Sequence, residues 1–238
     1  LMAKSGRLDK VGESKYTQVL KPLLVPKPVK HAVIIGFDSE WSPKTERLLS
    51  IQFAIIKKGQ LFSRVYYVSE LSTRSLFEHV LNFLGEASVD LSGMPKVRIY
   101  LIAHFAQSEI SKIRDYLKEW KVRVYNKAMS AEASLGALED MEYESEIHQR
   151  GWAKHGKYML KILDLYGYFP RALEKVGELV GLPKVDLDIS KVHLIVKKDR
   201  AQFECYAKRD AEICAKAFVE LRERFLKEFD IDILKYPT

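Results

Sequence analysis

The stretch VIIGFDSEW, residues 33–41, most constrains what this chain can fold into. Its apolar start predicts a buried β-strand. Its end places two carboxylates, Asp38 and Glu40, on either side of Ser39. Because side chains two apart in a strand point to the same face, the two acids share one side of it, about 7 Å apart. Two buried like charges this close are unfavourable unless a positive partner compensates for them.

Two interpretations of this pair stay open at this point. A divalent cation with oxygen ligands suits two carboxylates at the end of an apolar strand. A Glu40 that is simply solvated at the strand end accounts for the same residues. Because an aspartate and a glutamate two apart form a weak motif, the choice between them depends on further acids.

The remainder of the chain predicts one mixed α/β domain, residues 32–238, after an extended arm at residues 1–31. The arm is rich in lysine, carries three prolines and lacks periodicity, as extended segments do. Three β-rich runs with a hairpin turn at residues 58–59 then predict an antiparallel meander. Helical and strand patterns alternate after it, which favours one sheet with helices on its faces.

The later elements are predicted from apolar spacing and turn residues. Helices are expected at residues 72–86, with Ser72 or Thr73 as the N-cap, and at residues 106–120, 170–181 and 199–229. Strands are expected at residues 96–105 and 121–128, and two more around a glycine-containing turn near Gly151 to Gly156.

Composition narrows the class of protein. The 238 residues are 47% hydrophobic, which is ample for a packed core. No apolar run approaches the roughly 18 residues of a membrane span, and no apolar signal core follows the basic N-terminus, so neither a membrane nor secretion is predicted. Cys205 and Cys214 fall on opposite faces of one predicted helix, which favours a reduced, intracellular protein. The net charge of +7 suits a polyanionic partner without proving one.

Further acids follow later in the chain. Tyr206 and Asp210 are four apart on a predicted helix, and their shared face includes Phe203 and Ile213. An aspartate on an apolar helix face is unusual unless it is paired or metal-bound, although a surface aspartate is the commoner explanation of an isolated pair of this kind. Glu109 follows a predicted strand, at a helix N-terminus where the helix dipole favours any acid.

Taken in order, the segments FDSEW, AHFAQSE and YAKRD resemble the Exo I, Exo II and Exo III motifs of the DEDD-type 3′–5′ exonucleases. The resemblance is strongest to the proofreading domain of family B DNA polymerases, in particular its protein-primed and organellar-plasmid branch, and it spans residues 32–225. YAKRD matches the tyrosine-containing variety of the third motif. The resemblance implies an RNase H-like fold with a mixed five-strand sheet, flanked by helices, and the Asp38 strand at its centre.

Two more stretches fit the same family. The segment LYGYFPRALEKVGELVGLPK resembles the Ser-Leu helix that helps to hold single-stranded DNA, with Leu173 as its leucine. Lys184 in LPKVDL matches the lysine of a Lys-x-x-hydrophobic motif, which contacts the DNA phosphate near the scissile bond in that family. The ending IDILKYPT resembles the passage into the polymerase, which implies a segment of a longer protein.

Four positions depart from the family pattern. Glu109 stands where an aspartate is usual, and Phe105 stands where an asparagine helps to bind DNA. Ser108 replaces an aromatic residue, and Ala172 replaces a serine or threonine. These changes leave the acids of the metal centre in place but put the details of DNA contact in question. A catalytically weakened domain is consistent with them.

The resemblance implies that Asp38, Glu40, Asp210 and Glu109 bind two divalent cations, Mg²⁺ or Mn²⁺. Two such ions about 4 Å apart clamp the attacking and leaving oxygens of a phosphodiester, and their charge makes the clustered acids tolerable. Asp38 would bridge both ions, Glu40 and Asp210 would complete one site, and Glu109 would act at the second through water. Tyr206 would orient the attacking water as a hydrogen-bond partner, since a tyrosine hydroxyl ordinarily has a pKa of about 10 and stays protonated.

The expected substrate is the 3′ end of single-stranded DNA, bound by basic side chains and by aromatic stacking. Phe105 and Trp41 lie beside the acid motifs and are the candidates for stacking, with core packing as the alternative. Three other functions stay open. An RNA-directed exonuclease would use the same acids, and the sequence does not show how the 2′-hydroxyl is treated. The others are a non-catalytic nucleic-acid-binding module and a scaffold domain, which would leave the acids unexplained.

Overall fold

The fold is described from a computed structural model of the 238-residue chain. It describes residues 27–71, 75–113, 147–148, 152–155 and 157–235. Most of the expected N-terminal arm, the strand predicted at residues 121–128 and most of residues 128–157 lie outside these ranges.

One sheet organises the described residues. Its strands are β1 (Ala32–Trp41), β2 (Leu48–Lys57), β3 (Gln60–Tyr67), β4 (Val97–Ala103), β5 (Ile147–His148), β6 (Trp152–His155) and β7 (Tyr158–Asp164). Their order is β3-β2-β1-β4-β7-β6-β5. The first three strands are antiparallel, whereas β1, β4 and β7 run parallel. The first five strands of this order form the predicted mixed core with β1 at its centre, and β6 and β5 lengthen one edge. The RNase H-like fold is thereby confirmed.

The predicted hairpin between β2 and β3 is confirmed. Its two turn residues, Lys58 and Gly59, have φ angles of 50° and 77°. Positive φ at both central residues is what a two-residue turn of type I′ requires, and this turn suits the twist of the flanking strands. The first three strands are therefore the expected antiparallel meander.

The described helices are α1 (Leu76–Glu86), α2 (Ala106–Lys112), α3 (Leu173–Leu179), α4 (Val192–Lys198) and α5 (Arg200–Phe229). The prediction of Ser72 or Thr73 as the N-cap of α1 was wrong. The N-cap is Ser75, whose side chain accepts a hydrogen bond from the backbone N–H of Glu78. Helix α4 was not predicted. In the part of the chain that the structure describes, no helix combines the length and the apolar character needed to cross a bilayer.

The two faces of the sheet are packed differently. On one face, Phe37 of β1, Phe53 of β2 and Phe83 of α1 form an aromatic core, with ring centroids 5.4–5.7 Å apart. On the other face, α5 lies across β1 and β2, where Ala54, Ala211 and Ala215 pack together. The alternation of side chains along β1 sends Phe37 to the first face and its neighbours Gly36 and Asp38 to the second.

Gly36 allows α5 to lie directly on β1. A Cβ atom at Gly36 would fall 1.9 Å from the carbonyl oxygen of Ala211. No side chain fits such a gap, so the position requires glycine for close backbone approach. Because Asp38 is two residues from Gly36 and Asp210 is next to Ala211, this close contact also brings those two aspartates towards each other.

An ion pair joins the two ends of the described domain. Arg222 of α5 donates to Asp232 from Nε and from Nη2, each at 2.9 Å. The backbone N–H of Val29 donates to Asp232 Oδ2 at 2.7 Å, and that of Leu234 donates to Oδ1 at 3.1 Å. The segment before β1 and the segment after α5 are thus both held by the Asp232 carboxylate. We call the contact between Arg222 and Asp232 the Asp232 ion pair.

Candidate metal centre

Four acidic side chains meet where β1, α2 and α5 come together. Asp38 and Glu40 lie near the end of β1, Glu109 lies in the first turn of α2, and Asp210 lies on the buried side of α5. Glu40, Glu109 and Asp210 are each 7% exposed. The structure thus brings together the four acids that the sequence predicted as metal ligands.

The pKa values of these carboxyl groups are raised. At Asp38, burial is the largest cause, and the charges of Glu109, Glu40 and Asp210 add to it. At Glu40, burial together with the charges of Asp210 and Glu109 raises the pKa to about 8. A carboxyl group with a pKa of about 8 is largely protonated at neutral pH, so Glu40 carries less than a full negative charge.

Lys184 is a positively charged partner of the acid cluster. It comes from the loop between α3 and α4, and its Nζ lies 2.7 Å from Asp210 Oδ2. Its charge also lowers the pKa values of Asp38 and Glu40. Lys184 was predicted as a phosphate contact, and its pairing with Asp210 was not predicted. Lys112 likewise lowers the pKa values of Glu40 and Glu109. Four carboxyl groups still outnumber these two ammonium groups, which favours the binding of further cations.

Ser39 holds Glu109. The Ser39 hydroxyl donates to Glu109 Oε2, which lowers the pKa of that carboxyl group, although burial raises it more. The sequence pattern treated Ser39 only as a spacer between two acids. Because strand alternation directs Ser39 away from Asp38 and Glu40, its partner had to come from another element.

The oxygens of this cluster suit a hard divalent cation. Asp210 Oδ1 is buried and has no hydrogen-bond partner, which is rare for a buried acceptor. Among the described residues, no three His, Cys, Asp or Glu side chains are already arranged around one ion. Asp210 is paired with Lys184 and Glu109 with Ser39 instead. The donor types therefore suit a divalent cation, although the side chains of the described residues are not arranged as a ligand set around one ion.

Tyr206 lies against the same acids. Its side chain is buried, and burial together with the charges of Glu40, Asp210 and Asp38 raises its pKa well above the ordinary value. A hydrogen bond to Glu40 adds to this rise. The hydroxyl is therefore protonated at neutral pH and can act only as a hydrogen-bond partner.

Trp41 follows a β-bulge. The register between β1 and β2 shifts between Glu40 and Trp41, which re-aims the tryptophan relative to the strand. Its half-buried ring carries the Lys112 ammonium 4.3 Å from the ring centroid, a cation–π contact. Stacking of a nucleobase on that face of the ring would require Lys112 to move.

Phe105 belongs to an exposed aromatic cluster that the sequence did not reveal. Its ring is 48% exposed and is stacked on Tyr166, with centroids 4.5 Å apart. Asp164 Oδ1 accepts the backbone N–H groups of both Phe105 and Tyr166, at 3.1 and 2.9 Å. His104 meets the Phe105 ring edge-on at 4.6 Å. Ala103 of β4 pairs with Asp164 of β7. A prediction of this pairing would have placed the residues that follow the two strands, including Phe105 and Tyr166, side by side.

Leu173 lies in the core instead of on the surface. It begins α3, is 8% exposed and packs in a cluster with Val176 and Phe218. Ala172, at the cap position before it, offers no side-chain hydrogen bond. This burial leaves Leu173 little surface for a nucleic acid.

Two polar residues beside the acids escaped sequence analysis. In β2, Gln52 is paired with Asp38 and Ser50 with Glu40. Both are fully buried, Gln52 Nε2 donates to Ser50 Oγ, and Gln52 Oε1 has no partner. The strand LLSIQFAIIK is otherwise apolar, so its serine and glutamine could have indicated that these two residues lie beside a polar site.

Fold and site together define an α/β protein of RNase H-like architecture with a carboxylate cluster on its central strand. No family model matches the chain. The chain is 25% identical over 247 aligned residues to the primer-independent DNA polymerase PolB of Escherichia coli, and the match covers 89% of the chain. The chain spans 28% of the length of that polymerase. It is therefore distantly similar to a family B DNA polymerase.

Proposed function

We propose that this chain is a metal-dependent 3′–5′ exonuclease domain that acts on single-stranded DNA and proofreads for a longer family B DNA polymerase. The observation that carries the proposal is the cluster of four acids, whose pKa values stay raised although Lys184 and Lys112 lie close enough to lower some of them. Such a cluster disfavours folding, because its charges are buried and repel one another. Its all-oxygen ligand set suits two-metal phosphodiester cleavage, and the similarity to PolB supports DNA as the substrate class.

The residues of the cluster take distinct parts in this proposal. Asp38, Glu40, Asp210 and Glu109 would hold two divalent cations, Mg²⁺ or Mn²⁺, which when bound activate water and stabilise charge on the phosphate. Tyr206, kept protonated by its surroundings, orients the attacking water through its hydroxyl. Lys184 offers an ammonium to the phosphate oxygens, where it stabilises negative charge that grows in the transition state.

The single strand lies across the exposed aromatic cluster in this proposal. Phe105 presents about half of its surface, and Tyr166 and Asp164 fix its orientation from behind. Stacking on such a ring is worth about 1–3 kcal/mol per base and depends little on base identity. Trp41 offers a second ring once Lys112 is displaced. Leu173 does not contact the strand in this proposal, and its part is to pack in the hydrophobic core.

The test is digestion of a 5′-labelled single strand by the whole chain with Mg²⁺, Ca²⁺ or a chelator. A ladder shortened from the 3′ end in Mg²⁺ alone, and absent for Asp38→Asn, is the expected result. A labelled RNA of the same sequence is digested in parallel. Preference for RNA would overturn the assignment of DNA as the substrate. Tight binding without cleavage in Mg²⁺ or Mn²⁺ would show that the chain is a nucleic-acid-binding module and not an enzyme.

A further inference from the structure

The loop that carries Lys184 is attached to α5 at two consecutive helix residues. Asp210 accepts the lysine ammonium, and Arg209 Nη1 donates to the carbonyl oxygen of Pro183 at 2.7 Å. The residues from 182 to 188 form no regular helix or strand. After Lys184, the loop is held by Val185 and Leu187, which pack against the cluster that contains Phe203. Before Lys184, the Arg209 contact holds the backbone at Pro183, so it is well placed to decide where the neighbouring lysine lies.

Arg209 is itself held in a defined direction. Its Nε donates to Glu212 Oε2 at 3.2 Å, and the other oxygen of Glu212 accepts the hydroxyl of Ser63, on β3, at 2.6 Å. A planar guanidinium that donates to two fixed acceptors has little freedom to rotate. A chain of hydrogen bonds therefore runs from the sheet through Glu212 and Arg209 to the backbone beside Lys184.

We propose that Arg209 is the positioning residue for Lys184, acting through the Pro183 carbonyl. The inference rests on the proposed function, since it assigns the effect of Arg209 on cleavage to the lysine. The two attachments differ in one respect. A carboxylate that binds a cation loses part of its attraction for the Lys184 ammonium, whereas the bond from Arg209 to Pro183 involves neither group. Arg209 thus keeps the lysine beside the acids after Asp210 has bound a metal ion.

The first test is a double-mutant cycle on single-turnover cleavage rates. Arg209→Ala should slow cleavage by about tenfold, since small displacements of a catalytic group are costly. Lys184→Ala should slow it by a similar or larger factor, and the double variant should be no slower than Lys184→Ala alone. Arg209→Lys should recover part of the rate. Effects that multiply in the double variant would overturn the proposal.

The second test needs no cleavage activity. A protease specific for lysine should cut the Lys184–Val185 bond faster in Arg209→Ala than in the unmodified chain, because the loop opens more often. The matched control is Arg224→Ala, which removes an exposed ion pair with Glu228 from the same helix. Mass spectrometry of the new terminus at Val185 reads the rate. Equal rates in Arg209→Ala and in the control would overturn the proposal.

The two tests separate failure of this inference from failure of the proposed function. If the unmodified chain does not cleave DNA, the proposed function fails, while faster proteolysis of Arg209→Ala still shows that Arg209 positions Lys184. If the chain cleaves DNA at the same rate with and without Arg209, the function stands and the role of Arg209 is refuted. Glu212→Ala should resemble Arg209→Ala in both measurements, but with a smaller effect.

Discussion

Asp232 and Asp210 are both buried aspartates, but their surroundings shift the carboxyl pKa in opposite directions. Asp232 is 1% exposed, and both of its oxygens accept hydrogen bonds from Arg222 and from two backbone N–H groups. Burial alone would raise its pKa, but these bonds lower it. Asp210 is 7% exposed, has one oxygen paired with Lys184 and one unpaired, and has a raised pKa.

This difference distinguishes a structural acid from a candidate functional one. A buried charge whose hydrogen bonds are complete fixes the geometry of its surroundings, and its loss is destabilising. A buried acid with an unpaired oxygen and like-charged neighbours costs stability in the free protein. Such a group gains most when a cation arrives, which is why raised carboxyl pKa values are common at functional sites.

The largest expected effect is on cleavage. Asp38→Asn and Asp210→Asn should each abolish Mg²⁺-dependent shortening of a single strand, because each replaces an anionic ligand by a neutral one of the same shape. The free energy of unfolding of Asp38→Asn should rise or stay unchanged, since repulsion within the cluster is relieved, whereas Asp210→Asn also loses the ion pair with Lys184. Asp90→Asn, at an exposed turn, is the control and should cleave normally. Normal turnover in Asp38→Asn would refute the assignment.

Asp232 should show the reverse pattern. Arg222→Ala leaves the buried Asp232 carboxylate without its cation, and loss of one partner of a buried pair costs about 3–5 kcal/mol. Urea denaturation should therefore show a large fall in stability. At a temperature where the variant is still folded, its cleavage rate per folded molecule should be close to normal. A variant as stable as the unmodified chain would contradict the structural role of this pair.

Exposed aromatic rings extend the same contrast. Phe105 lies beside the acid cluster, whereas Phe229, 57% exposed, lies at the end of α5 near the Asp232 ion pair. Phe105→Ala should weaken single-strand binding in Ca²⁺ by about 1–3 kcal/mol, the usual worth of one stacked base. Phe229→Ala should leave binding unchanged. Fluorescence anisotropy of a labelled oligonucleotide measures both, and equal effects would remove Phe105 from the proposed binding surface.

The last contrast is a pH dependence of stability that has opposite signs in the two regions. Glu40 has an ordinary pKa of 4.5, raised to about 8 in the fold, so the folded state holds the extra proton between these values. Stability of the metal-free protein should fall as pH rises through that window, and Mg²⁺ should reduce the slope. Asp232 has a pKa lowered from 3.8, so its contribution should be lost only as pH falls below that value. Denaturant midpoints across pH test both signs.

Local patterns in the sequence account for much of the fold, whereas the resemblance to the exonuclease motifs grouped the four acids into one site. Strand alternation placed Asp38 and Glu40 on one face, and helical spacing placed Asp210 on the buried side of α5. The partners could not be predicted in the same way. Periodicity tells which face a residue occupies, but not which remote side chain reaches it. The contacts of Lys184 with Asp210 and of Ser39 with Glu109 depend on loop paths and packing that no local pattern specifies.

The contact of Gly36 with the backbone of α5 has a consequence for mutational tolerance. Any side chain at Gly36 would push the helix away from β1, and larger residues at Ala54, Ala211 or Ala215 would do the same at neighbouring points. Gly36→Ala should therefore separate Asp38 from Asp210 without altering either acid. In a saturation-mutagenesis screen selected for nuclease activity, these four small residues should accept as few replacements as the carboxylates, although none of them carries a reactive group.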